Sequence, residues 1–584
     1  MEPARRPLPQ FGRRFFDAAE RVTALGGGSP GGKAHGLQVI RELLAARPIG
    51  AGSLNVDVPA MTVLGTDVFD RFMSSNGLWP VVSSDRNDTR LALAFQAAAL
   101  PVEIVGDLRA LVEEARTPLA VRSSSLLEDA LASPFAGVYA TKMIPNDQPD
   151  ADGRFRRLVE AIKLVYASMF FAGARQYVEA VGHAVGDEKM AVIVQEVVGR
   201  RHGTRYYPDV SGVARSYSFY RSGKARPEDG FATLALGLGK TIVDGGVTWH
   251  YSPAYPRATA PFATPADLLD QTQRQFWAVS LGAKPRYDPV NEVEYLVRCT
   301  LEDAEEDGTL RYTGSTYDPA SDRLYAGLRG TGPRALTFAP LLVHEELPLN
   351  AVVRDVMSAS EQALSAPVEI EFACTLGPDG GRAPRFGFLQ VRPMAVSTQP
   401  VSVSDEDLRD PACLVASSAV LGNGRENSIA DIVFVKRDRF DPAHSRQIAG
   451  EVADFNHALA AEHRPYLLIG FGRWGSADPW LGIPVQWSSI AAARTIVETT
   501  LPGRPVEPSQ GSHFFHNLSS FGVVYFTVRP DVDPSIAWEW LETQPLARAT
   551  TYVSHVRLDR PVRVEVDGRS GRGVIRRGGS ADAR

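Results

Sequence analysis

Leu119–Thr141, LAVRSSSLLEDALASPFAGVYAT, is the stretch from which the rest of the chain is read. Leu119 to Val121 form a short apolar run, the pattern of a buried strand, and Arg122 stands at its end. Three serines follow, then the acidic pair Glu128–Asp129, then Pro134 and Gly137, residue types that make loops. A strand that feeds a cation and hydroxyls into an irregular loop is how α/β folds present anion sites. A plain strand and loop with a surface arginine accounts for the same residues, so the choice falls to the remaining chain.

Upstream, residues 26–44 read GGGSPGGKAHGLQVIRELL. Glycines let a backbone approach a phosphate closely, and Lys33 adds a point charge near the start of an amphipathic helix marked by Leu37, Ile40, Leu43 and Leu44. The P-loop pattern fails because Ala34 follows the lysine. Downstream, PVEIEFA alternates, so Glu369 and Glu371 share one strand face and Val368, Ile370 and Phe372 the other. After a Gly/Pro/Asp loop, FGFLQVRP alternates again and puts Gln390 and Arg392 on one face. The two runs predict a hairpin whose polar face is either a solvated ion-pair surface or a ligand site.

Composition sets the bounds. The chain has 584 residues, 44% hydrophobic and 22% charged, which suits roughly two to four globular domains. A net charge of −6 argues against general nucleic-acid binding. The three cysteines, Cys299, Cys374 and Cys413, lie far apart without metal spacing, as in a reducing compartment. No signal-peptide core and no membrane-length apolar run is visible, so a cytoplasmic protein without membrane partners is expected. Only 8 of the 62 basic residues are lysines, so a lysine beside glycines, such as Lys33 or Lys240, stands out.

Taken together, these segments resemble the nucleotide-binding domain of the phosphoenolpyruvate synthase and pyruvate phosphate dikinase family. Its V-R-S-S-x-x-x-E-D-x-x-x-x-S-F-A-G signature reads VRSSSLLEDALASPFAG here, with Pro134 at a serine position. GGKAHGL matches G-G-K-x-x-x-L, and VPAMTVLGTDVF is similar to the family's V-P-x-G-F strand. SGVA resembles S-G-V-x-F with Arg215 at the apolar position, and ALGLGKTIVDGGV resembles G-L-G-E-x-V-V-x-G-x-V with Lys240 for Glu. The hairpin matches D-I-E-[FW]…L-Q-x-R with Glu369 for the first Asp. These matches run from Gly27 to Pro393 in the family's order.

The resemblance implies an α/β (α+β) chain with an ATP-grasp domain over residues 1–396. It implies that Lys33 and Arg122 hold ATP phosphates and carry catalysis. The strand MAVIVQEVV would end in a hinge, Gln195, Glu196 and Val197, whose backbone faces adenine. Gly212 and Gly239 would lie in glycine loops over the phosphates. Glu369 and Glu371 would bind Mg2+, and Gln390 with Arg392 the nucleotide or its metal. The family moves the β-phosphoryl of ATP to a histidine. GGVTWH, ending at His250, matches the core of the phosphohistidine motif, but Pro253 and Pro256 forbid the helix that should follow, so His250 reads as structural.

The remaining third reads differently. Residues 397–411 look like a linker, 412–567 a smaller α/β domain of unknown type, and 568–584 a disordered Gly/Arg/Ser tail. Phe155 to Val181 reads as one amphipathic helix with Tyr166, Phe170 and Tyr177 in the core. No phosphoenolpyruvate barrel fits the remaining length. His513, in SQGSHFFHN, is a candidate acceptor set against a bland core role beside Phe514 and Phe515. The expected function is ATP-dependent phosphoryl transfer to an unidentified acceptor, a separate protein among the options. The alternative is a non-catalytic ATP sensor.

Overall fold

The computed structural model describes residues 7–12, 21–50, 53–125, 138–180, 188–217, 225–244, 246–257, 268–269, 272–282, 285–377, 383–394, 400–476, 480–500, 522–534 and 536–578. The chain divides into two compact units. One comprises residues 1–216, 231–242 and 247–393, the other 217–230, 243–246 and 394–584. The architecture is mixed α/β throughout.

Two sheets of the first unit position the site. Their strands are β1 (Val22–Leu25), β2 (Asn55–Asp57), β3 (Met61–Leu64), β4 (Leu119–Ser125), β5 (Thr141–Ile144), β6 (Met190–Glu196), β7 (Val210–Arg215), β8 (Phe231–Ala235), β9 (Trp249–Tyr251), β10 (Val368–Thr375) and β11 (Arg385–Pro393). The order is β1-β3-β6-β4-β5 in one sheet and β9-β8-β7-β10-β11-β2 in the other. Strand β6, MAVIVQE, is buried from Met190 to Gln195, as an interior strand with neighbours on both sides demands. Helix α1 (Gly31–Ala46) buries Ala34, Leu37 and Ile40 and packs against both β4 and β11. That helix therefore touches strands of both sheets.

The single helix expected at 155–181 is two, Ala151–Ser168 and Ala172–Ala180. Asp150 caps the first by accepting from Gly153 N–H. Tyr166 and Phe170 are buried, and the Tyr166 ring lies 5.2 and 5.3 Å from those of Phe69 and Phe72, so both are core residues. Among the described residues no single helix is long and apolar enough to cross a membrane.

The second unit holds β12 (Cys413–Ser417), β13 (Val420–Leu421), β14 (Gly424–Glu426), β15 (Asp431–Val435), β16 (Tyr466–Phe471), β17 (Ala493–Thr499), β18 (Val524–Val528), β19 (Leu546–Ala549), β20 (Val553–Arg557), β21 (Arg563–Asp567) and β22 (Arg572–Arg576). A seven-stranded sheet runs β13-β18-β17-β16-β15-β20-β19, with β15 to β18 parallel. A four-stranded antiparallel sheet runs β12-β22-β21-β14. Ile432, Leu467, Val497 and Phe526 of the first share one core with Val564 and Ile575 of the second. The helix Ser445–Ala461 joins β15 to β16 and buries Ile448, Val452, Phe455 and Leu459, a spacing that keeps one face inward.

Two expectations fail in this unit. The tail is not disordered from residue 568: β22 lies between β12 and β21, with Val574 and Ile575 fully buried. Glycines and arginines suggest a solvated segment by composition, but Arg572–Arg576 pairs back on β21 and Arg576 is held by Asp407, Asp410 and Glu565. The segment 397–411 is not a bare linker either. It contains the helix Asp405–Leu408, capped by Ser404, and that helix supplies the Asp407 that grips Arg576. His513, His516 and Asn517 lie outside the described residues.

Ending the chain after Asp567 is thus expected to unfold the second unit rather than trim a tail. It removes an interior strand and its buried side chains, a loss of about 3 kcal/mol or more. Limited proteolysis of the truncated chain checks this; protease resistance equal to that of the full chain contradicts the paired strand.

Candidate functional site

The loop before α1 holds Gly26, Gly28 and Gly31 at φ of +74°, +80° and +78°. Gly31 is the constrained one, since a Cβ there would stand 1.8 Å from the Ser124 carbonyl oxygen. The approach is this close because β4 caps the helix. Ser124 Oγ accepts from the Ala34 N–H at 3.1 Å and donates to the Pro30 carbonyl at 2.8 Å, while Pro30 itself offers no side-chain cap. Lys33 follows in the first turn, buried, with Nζ donating to Ser123 Oγ at 3.2 Å. The glycine loop and the serines of the Arg122 segment are therefore one structure.

Arg122 leaves β4 and crosses to the hairpin of the other sheet. Its guanidinium donates to the Leu389 carbonyl at 2.9 Å and to Gln390 Oε1 at 2.7 Å, both on β11. Longer contacts reach Gln195 Oε1 at 3.3 Å and Glu371 Oε2 at 3.4 Å. The two short bonds anchor the side chain, and the two long ones are those that a phosphate can replace.

The hairpin pairs as the alternation predicts, Glu369 opposite Arg392 and Glu371 opposite Gln390, with a bulge after Glu371. Its polar face is not a solvated surface: Glu369, Gln390 and Arg392 are all buried. Arg392 Nε donates to Glu369 at 2.7 Å, and Arg215 of β7 donates to the other carboxylate oxygen at 2.6 Å. Glu371 is more open, with Arg122 at 3.4 Å and Arg392 at 4.0 Å.

Arg122, Gln195, Glu369, Glu371, Gln390 and Arg392 thus form one connected cluster, with Lys33 tied to the same strand as Arg122 through Ser123. The other expected residues differ. The hinge backbone is engaged within the fold: Glu196 N–H bonds to Ala60 O at 2.9 Å, Val197 N–H to Pro118 O at 3.0 Å, and Val197 O accepts from Tyr206 at 3.2 Å. These three backbone groups thus have partners within the fold, at the end of an interior strand paired on both edges. The Glu196 side chain meets Arg385 at 3.3 Å. Burial would lower Arg385, yet Glu196 and Asp57 outweigh it and hold the guanidinium above its ordinary value.

Gly212 is in a strand, not a phosphate loop. It stands in register opposite Phe372, and a Cβ there would lie 2.1 Å from that ring, which stacks on Phe386. Gly239 follows β8 past Ala235, which pairs with Ser211, at the opposite end of β7 from Arg215. Lys240 sits 5.9 Å over the Trp277 ring, outside the cluster. Both ring nitrogens of His250 meet threonine hydroxyls, Thr233 and Thr248, each at 3.0 Å, a structural role.

Fit to a nucleotide and its metal is tested by the same geometry. Among the described residues Gln195 Nε2 is buried with no hydrogen-bond partner, a state that costs about 1–3 kcal/mol and that a ligand acceptor atom would relieve. This side chain, rather than the hinge backbone, is the group the strand offers. Magnesium held with phosphates needs one or two carboxylates. Glu371 fits that role. Glu369 does not, since a guanidinium occupies each of its oxygens. Among the described residues no group of three or more His, Cys, Asp or Glu side chains could hold a metal without such a ligand. In the sequence Arg215 stands out only as a departure from the family's apolar position. An arginine ending an apolar strand run is the signal that it needs a buried acid.

Residues 28–410 match the family model described as pyruvate phosphate dikinase, AMP/ATP-binding domain. No curated protein matches the chain.

Proposed function

Because the chain belongs to the pyruvate phosphate dikinase AMP/ATP-binding domain family, we propose that its first unit is an ATP-grasp nucleotide site that carries out phosphoryl transfer. The observation that carries the reading is the convergence on Arg122 of groups from two sheets, beside a lysine at a glycine-rich helix start. Lys33 and Arg122 hold phosphate oxygens, Gln195 meets the nucleotide through Nε2, and Gln390 with Arg392 keeps Arg122 and Glu369 in place. Glu371 is the carboxylate toward magnesium. ATP, when bound, supplies the phosphoryl group. The protein's contribution is positioning and neutralisation of the charge that develops on the transferred group.

The test is to incubate the protein with ATP and magnesium and identify the products. AMP with phosphate supports transfer as the family performs it. ATP bound tightly without turnover supports the second reading, a nucleotide sensor, which the pairing of Glu369 with Arg215 and Arg392 favours.

Glu371→Gln is expected to leave ATP binding and folding intact while turnover falls about a hundredfold or more, since an amide cannot neutralise the metal. Product formation at the wild-type rate in this variant removes Glu371 from the metal role.

A further inference from the structure

A groove in the first unit shares no residue with the Arg122 cluster. The helix Ala151–Ser168 carries Phe155, Arg156, Val159 and Lys163 along one face, at three- and four-residue spacing. That face lines a groove of about 510 Å3, within the range of about 300–1,000 Å3 usual for small-molecule sites. Tyr287 lines it as well, with 44% of its surface exposed. Phe155 and Val159 add half-buried apolar surface, and the Arg109 guanidinium lies 4.8 Å from the centre of the Phe155 ring. A flat ligand body therefore has aromatic and guanidinium faces to lie on.

The polar groups of the groove differ in how they are engaged. Both carboxylates that line it have arginines, Asp152 with Arg109 and Glu160 with Arg157 at 2.7 Å. Arg156 and Lys163 line it with no carboxylate at ion-pair distance among the described residues. Lys163 Nζ donates to the Gln96 carbonyl at 2.9 Å, which uses one of its three N–H groups. Gln96 is itself fixed, since its Nε2 donates to the Glu160 carbonyl at 2.9 Å. Burial holds the Lys163 ammonium below the ordinary lysine value, with Glu160 opposing it, and a bound anion would favour the charged form.

We propose that this groove is a binding site for a small organic anion with a flat apolar body, the chemistry shared by aromatic carboxylates and aryl phosphates. Its acid group meets Arg156 and Lys163. Its ring lies against Tyr287 and the Phe155–Arg109 pair.

Fluorine NMR of para-fluorobenzoate and para-fluorophenyl phosphate with the full chain tests this. At least one of the two probes should bind with a Kd of about 1 mM or tighter. The para-fluorobenzylammonium ion, with the same ring and the opposite charge, should bind about tenfold more weakly. Acetate, an anion without a ring, should fail to displace the probe. Arg156→Gln should weaken binding about tenfold, one charge-assisted hydrogen bond being removed. The Arg156 side chain is exposed, so the thermal midpoint of that variant should match the wild type. Tyr287→Ala should cost about threefold or more, and Tyr287→Phe should keep the affinity. Neither probe binding up to about 10 mM overturns the proposal, as does a cation that binds as tightly as the anions. Full affinity in Arg156→Gln or in Tyr287→Ala also overturns it, because the probe then sits elsewhere on the chain. These results keep their meaning if the chain fails to bind ATP.

Discussion

Arg122→Ala should weaken ATP binding by about a hundredfold or more. The guanidinium is held by two short bonds to β11, and in the proposed site a phosphate would replace its two longer contacts. Each hydrogen bond to a charged group contributes about 1.5–3 kcal/mol, so a two-pronged contact accounts for at least that loss. Truncation also strips partners from Gln390 Oε1 and the Leu389 carbonyl, which loosens the approach of β4 to the hairpin. Arg122→Lys should lose about tenfold, because a point charge cannot serve acceptors on two strands at once. Calorimetry on the purified variants measures both. An Arg122→Ala affinity within about threefold of wild type removes Arg122 from the site.

Gly31→Ala should be the most damaging small substitution in the first unit, destabilising it by about 3 kcal/mol or more. The added methyl would stand 1.8 Å from the Ser124 carbonyl oxygen, at a backbone φ of +78° that side chains rarely adopt. Relief requires α1 to move off β4, which breaks the Ser124 cap and carries Lys33 away from Ser123. Stability and nucleotide binding should therefore fall together. Gly106, within the helix Val102–Glu114 and with open space where a methyl would stand, is the control: Gly106→Ala should be neutral or stabilising by about 0.5–1 kcal/mol. Denaturant unfolding of the two variants separates them. Equal midpoints would show that the glycine loop does not depend on its contact with β4.

Much of this protein is legible in its residues. Alternation alone places Glu369 with Glu371 and Gln390 with Arg392 on one face, because the side-chain period of a strand is two. The ordered run of motifs from Gly27 to Pro393 points to the family whose model matches residues 28–410. Composition fails where glycine and arginine have specific partners: the Arg572–Arg576 strand looks like a solvated tail until Asp407, Asp410 and Glu565 are brought around Arg576.

The order of residues along the chain is therefore enough to say which side chains share a strand face, which loop must be glycine and which family the first unit belongs to. Each of these is a local matter, set by the period of a strand, the turn of a helix or the steric freedom of one residue. Which charges meet is a matter of the folded chain alone. Arg122 and Glu371 are 249 residues apart, and Arg215 and Glu369 are 154 apart. No local pattern states that an arginine closing one strand will claim a carboxylate that its motif assigns to a metal. Strand order brings β7 beside β10, and burial then requires that the acid be paired, so a residue with the motif of a magnesium ligand is the centre of an arginine sandwich.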